Sequence, residues 1–169
     1  MTNEATRHAT VVVGVQGTGE SRTAIRLAAQ EARYRDASLV ATIAYRTEPA
    51  LGAPAGRPLS VLHSADDGRA AAASVLRDAV VDALGAQAEG VELLTVPGLA
   101  GRSLVDTARK LNADLIVLAG HGAAATVPGT VSQYVLRRAP CPVLVVSPSD
   151  DGAHAASDQQ EEDAASRNP

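Results

Sequence analysis

The sequence predicts an α/β domain, a single doubly wound unit with a five-stranded, mostly parallel sheet covered by helices on both faces. Three observations carry that expectation. Runs of branched aliphatic residues, such as Val11-Val12-Val13, Leu115-Ile116-Val117-Leu118 and Val143-Leu144-Val145-Val146, lack the polar alternation of strands with one wet face, so both of their faces are covered. The runs alternate with stretches whose apolar residues recur at helical spacing. Hydrophobic residues make up 46% of the chain, yet Phe and Trp are absent and Tyr occurs three times. The core is therefore built of Ala, Val, Leu and Ile, a composition suited to helices packed closely on a sheet. A length of 169 residues fits one domain with a full core.

Taken in order, residues 9–15 read as a buried first strand. Residues 16–21 turn the chain, with Ser21 as the N-cap of a helix that begins at Arg22. Ala24, Ile25, Ala28, Ala29 and Ala32 form its inward face, while Arg22, Arg26, Glu31 and Arg33 mostly lie elsewhere. Residues 38–45 form the second strand. Residues 46–63, with Pro49, Gly52, Pro54, Gly56 and Pro58, read as a long surface loop bordering the cleft. Ser64 and Asp66 precede a helix through Leu84 with an apolar stripe of Ala72, Val75, Leu76, Ala79, Val80 and Ala83. Gly85 and Gly90 punctuate its end, residues 91–96 form the third strand, and Pro97-Gly98 closes it. The third helix, about residues 101–111, turns Leu104, Val105, Ala108 and Leu111 inward.

Residues 114–147 form the stretch around which the rest is organised: the strand 114–119, the loop that starts Gly120-His121-Gly122, a helix opened by Gly129-Thr130, and the strand 143–146. Both strands, from their aliphatic runs, read as central or nearly so. The start of a helix offers main-chain N–H groups without intrahelical partners, and with the Thr130 hydroxyl these suit an anion such as phosphate.

Composition narrows the function classes. No run reaches the length of a membrane span, and the first residues lack the basic and apolar regions of a signal peptide. The expectation is a cytoplasmic protein that engages no membrane. The single Cys141, between Pro140 and Pro142, reads as a packing residue. Six acids beyond Ser149 against Arg167 give that end a charge of −5, so with −4 overall the body carries about +1. A near-neutral body offers no electrostatic footprint for nucleic acid. Residues 149–169 are expected to be a disordered acidic tail, and 1–8 a flexible N-terminus, around a domain at 9–148.

At its C-terminal half the chain resembles the universal stress protein family. That family's phosphate loop reads Gly, two residues, Gly, nine residues, then Gly-Ser or Gly-Thr. Here the pattern is Ala119, Gly120-His121, Gly122, six residues, then Gly129-Thr130, followed by a close match from Val131-Ser132-Gln133 to Pro142-Val143-Leu144-Val145-Val146. The first glycine is replaced and the loop is three residues shorter. The first turn is similar to the family's Asp-Gly-Ser-x-x-Ser, with Gln16 in place of the aspartate and Gly17, Thr18 and Ser21 fitting. Gln keeps hydrogen-bonding capacity and loses the charge that would hold a cation. Residues 10–147 take part in the likeness.

The resemblance implies an adenine nucleotide alpha hydrolase-like fold with strand order 3-2-1-4-5 and a cleft between the first and fourth strands, where Gln16 and Ala119 would meet. It implies a base pocket at Ala44 and Leu118 and phosphate contacts at Ala119, Gly122, Gly129, Thr130 and Val131. The ligand would be ATP or another adenine nucleotide with Mg, or none. His121 is the histidine placed for ligand contact. A homodimer through the fifth strand is implied as well, with room for an unidentified protein partner. Another pattern, Gly14, Gly17 and Gly19 after the first strand, has the outline of a dinucleotide-binding turn with Arg46 ready for a 2′-phosphate, but the chain has no length for a substrate domain. No dedicated catalysis is evident. Ser132 lacks a nucleophile-elbow surround, His8, His63, His121 and His154 have no metal-ligand spacing, and Asp66-Asp67 and Asp150-Asp151 read as a helix start and tail. Two functions follow: a stress-response protein acting mainly through dimerisation and partner contacts with nucleotide binding weakened or lost, or an ATP-binding one with nucleotide-dependent signalling or slow hydrolysis.

Overall fold

The computed structural model describes residues 8–17, 21–46, 65–120 and 129–147. Strands and helices alternate as β1 (Thr10–Gly14), α1 (Ser21–Tyr34), β2 (Ser38–Tyr45), α2 (Ala65–Leu84), β3 (Val91–Pro97), α3 (Ala100–Lys110), β4 (Leu115–Ala119), α4 (Thr130–Arg138) and β5 (Val143–Val146). The sheet order is β3-β2-β1-β4-β5 and every pairing is parallel. The chain therefore winds outward from β1 to β3, then crosses back to lay β4 and β5 on the other side. β1 and β4 flank the point where the winding reverses.

Strand alternation divides the apolar residues between two cores. Val11, Val13, Leu39, Ala41, Leu115 and Val117 meet Ile25 and Ala28 of α1 and Leu76 and Val80 of α2. Val12, Val40, Ile116 and Leu118 meet Leu104, Val105 and Ala108 of α3 and Val135 of α4. Each central strand is covered on both sides, which is why its sequence shows no polar alternation. The register of β1 against β4 is fixed at the sheet's lower end by a reciprocal pair: the Asp114 N–H donates to the Thr10 carbonyl (2.8 Å) and the Thr10 N–H to Asp114 Oδ2 (2.9 Å).

Four features differ from the sequence reading. Ser21 is the first residue of α1 rather than its cap, and its hydroxyl accepts from the Gln16 N–H at 3.1 Å, closing the turn after β1. Val75, expected in the inward stripe of α2, is 40% exposed, because the burial of Ala72, Leu76, Val80 and Ala83 sets the contact line one step away. Between α2 and β3 a 3-10 helix, Gly85–Gly90, replaces a plain turn; Gly85, at φ +56°, ends α2 in the left-handed conformation that glycine accepts without a Cβ penalty. β5 lies at the sheet edge, as the order 3-2-1-4-5 implied by the resemblance requires and unlike the central place its aliphatic run alone suggests, and all four of its residues are half-buried. The expected loop at 46–63 lies, apart from Arg46, outside the described residues, as do the tail and residues 1–7.

Candidate functional site

The carboxyl ends of β1, β2 and β4 open into a cleft at the β1–β4 switch, the place where parallel α/β sheets bind ligands. Its described lining consists of Gly14, Val15, Gln16, Thr42, Ala44, Ala100, Ser103, Leu104, Leu118 and Val131. Backbone register explains the opening. Gly14 stands beside Thr42 on β2 and Leu118 on β4, so the middle of this cross-strand row has no side chain. A Cβ on Gly14 would lie 2.9 Å from Leu104 Cδ2, so α3 leans into the gap that glycine leaves.

Of the residues expected at the site, the cleft brings together Gln16, Ala44, Leu118 and Val131. Gly17 follows in the turn at φ +71°, against Val75 of α2. Ala119 packs with the α1 and α2 core, since it alternates with Leu118 and points to the opposite face. Gly129 is the N-cap of α4 in extended conformation, with no side-chain capping bond, and Thr130 is the first helical residue. The Gln133 N–H donates to the Gly129 carbonyl at 2.9 Å as the first intrahelical bond, so the preceding N–H groups of the first turn have no partner within the helix. Thr18, Gly122 and His121 lie outside the described residues.

The cleft also contains residues that the sequence did not assign to the nucleotide site, chiefly Gly14, Thr42 and Ser103. Thr42 was accessible from strand alternation with Ala44, whereas Ser103 comes from a different element and only the packing of α3 places it. Among the described residues that line the cleft, none carries a charge. Among the described residues no three His, Cys, Asp or Glu side chains gather as a metal site, and no helix is long and apolar enough to cross a membrane.

The universal stress protein family model matches residues 8–147. The chain belongs to that family. A search of curated proteins finds no match, but solved universal stress proteins resemble it over nearly their whole length. One, solved in complex with cAMP, is 28% identical, with 85% of this chain and 100% of that chain covered and a TM-score of 0.61. Universal stress protein UspA from Lactobacillus plantarum is 27% identical over 83% of this chain and 98% of its own, with a TM-score of 0.64. A member of the family from Burkholderia pseudomallei is 25% identical over 85% and 98%, with a TM-score of 0.61.

Proposed function

We propose that this universal stress protein binds an adenine nucleotide in the β1–β4 cleft, with the base between Ala44, Leu118 and Val131 and the phosphate directed to the start of α4 at Gly129 and Thr130. The observation that carries this reading is a cleft at the switch point whose described lining is uncharged and largely apolar, bordered by Val131 in the first turn of α4. The apolar walls suit a flat ring, and a helix N-terminus suits an anion. The likeness to a universal stress protein solved with cAMP supports it. Gln16 in place of an aspartate, and a loop three residues short, point to a ligand with one phosphate, AMP or a cyclic form, rather than ATP with Mg. A cation accompanying ATP would rest on phosphate oxygens and main chain, since the described lining offers no carboxylate. Calorimetric titration with AMP, cAMP and ATP, each with and without Mg²⁺, tests the reading. Saturable binding of a monophosphate near 1 μM, about −8 kcal/mol, and unaffected by Mg²⁺ is the expected result; no heat with any of them would end it.

A second reading rests on a different observation. β5 ends the sheet as an aliphatic strand without a charged side chain, whereas the opposite edge, β3, carries exposed Glu92 and ends in Pro97. Charge and proline blunt an edge, and a plain aliphatic edge invites pairing. On this reading the protein acts in stress response through a β5 homodimer and partner contacts, with nucleotide binding weakened or lost.

A further inference from the structure

We infer that Ser103 selects the ring bound in the cleft, accepting a hydrogen bond from an exocyclic amino group and disfavouring a ring that lacks one. The inference rests on the nucleotide reading above and adds a specificity residue to it. Ser103 lies on α3, is 6% exposed, and lines the cleft beside Ala100 and Leu104. Its hydroxyl donates its only proton to the Pro97 carbonyl at 3.3 Å. The rotamer is enclosed on one side by Gly98, held at φ +122°, where a Cβ would come within 3.1 Å of Ser103 Oγ. With its proton committed to the end of β3, the oxygen presents only lone pairs to the cleft.

Thr42 supplies the contrast. It is 4% exposed and stands on the cleft floor next to the gap at Gly14. Its hydroxyl can rotate to donate or accept, so it serves rings of either kind. Of the two hydroxyls among the described lining residues, the one with a fixed direction is the one that discriminates. An acceptor facing a ring without a donor is left unpaired, and an unpaired buried oxygen is costly.

The test compares AMP with purine riboside 5′-monophosphate, which differs only in lacking the amino group, by calorimetry on the intact protein. The wild-type chain is expected to prefer AMP by roughly tenfold, the effect of one buried hydrogen bond. Ser103→Ala should reduce that preference to about twofold by removing the bond, and Thr42→Val should weaken both ligands while keeping the ratio. Equal wild-type affinities would overturn the inference even if no variant folds. An unchanged ratio in Ser103→Ala, with AMP still bound, would overturn it and leave the nucleotide reading intact. Absence of binding by either ligand would remove both.

Discussion

Ser132, fully buried in the first turn of α4, has no hydrogen-bond partner among the described residues. A buried hydroxyl in that state costs about 1–3 kcal/mol, so Ser132→Ala should leave stability unchanged or raise it by up to about 1 kcal/mol, read by thermal denaturation. A clear loss of stability would show that the oxygen is bonded in solution. Gly17 behaves oppositely: its positive φ disfavours any side chain and a Cβ would approach Val75 Cγ1 to 2.8 Å, so Gly17→Ala should cost about 1–2 kcal/mol in the same measurement. At Cys141, burial and then the charge of Asp114 raise the thiol pKa. The folded state therefore favours the protonated form. The stability this contributes is present below the unfolded thiol's pKa, about 8.5, and is lost as pH rises through the folded value. Labelling by a thiol reagent at pH 8 should accordingly be slower than for a free cysteine, and a rate equal to that of an unfolded control would contradict the shift. At this scale the place of Gln16, Ala44, Leu118 and Val131 on the cleft lining was legible because the resemblance fixes it along one strand or loop. Ser103 was not, since nothing local in the sequence of α3 tells which turn of the helix borders a cleft made by other elements.

Elements were more legible than residues. β2 is delimited in the sequence by Ala37-Ser38 and Arg46 and spans Ser38–Tyr45, and α1 buries Ala24, Ile25, Ala28, Ala29 and Ala32, the spacing its apolar residues already display. α2 was harder. Its 20 residues are rich in alanine, which sits comfortably on either side of a helix, so periodicity alone admitted Val75 to the stripe. Packing decides instead: Leu76 and Val80, both 1% exposed, insert into the α1 core, and on the flank Arg26 Nε donates to the Ala83 carbonyl at 3.1 Å. Truncating Leu76 to Ala should cost about 2–5 kcal/mol, whereas Val75→Ala, at an exposed site, should stay within about 0.5 kcal/mol. Chemical denaturation of both variants checks the contact line. Equal losses would put Val75 in the core after all.

At the scale of the whole molecule, the order of strands leaves two edges, and they differ in how they are finished. The polarity of β5 shows which of its groups remain available. The Gly120 N–H donates to the Val146 carbonyl at 2.7 Å and the Ile116 N–H to the Pro142 carbonyl at 3.0 Å. Alternation along the strand then directs the main chain of Leu144 to β4 as well, and that of Val143 and Val145 to the open edge. A second copy of the chain pairing there would use those two residues. Proline is accepted at an edge position whose N–H faces outward, so Val145→Pro should remove a donor from the proposed dimer without breaking the β4 ladder. Leu144→Pro would break it. Light scattering across a range of concentrations should give a dimer for the wild-type chain and a folded monomer for Val145→Pro, with an unchanged far-ultraviolet circular dichroism spectrum. The aliphatic run 143–146 announced a strand but not its position, because a strand covered by helices on both faces and a strand that keeps one main-chain edge for a partner require the same side chains. A wild-type chain that stays monomeric at every concentration would mean that β5 is an edge left open, and that the cleft, not a dimer, is where this protein meets its ligand or partner.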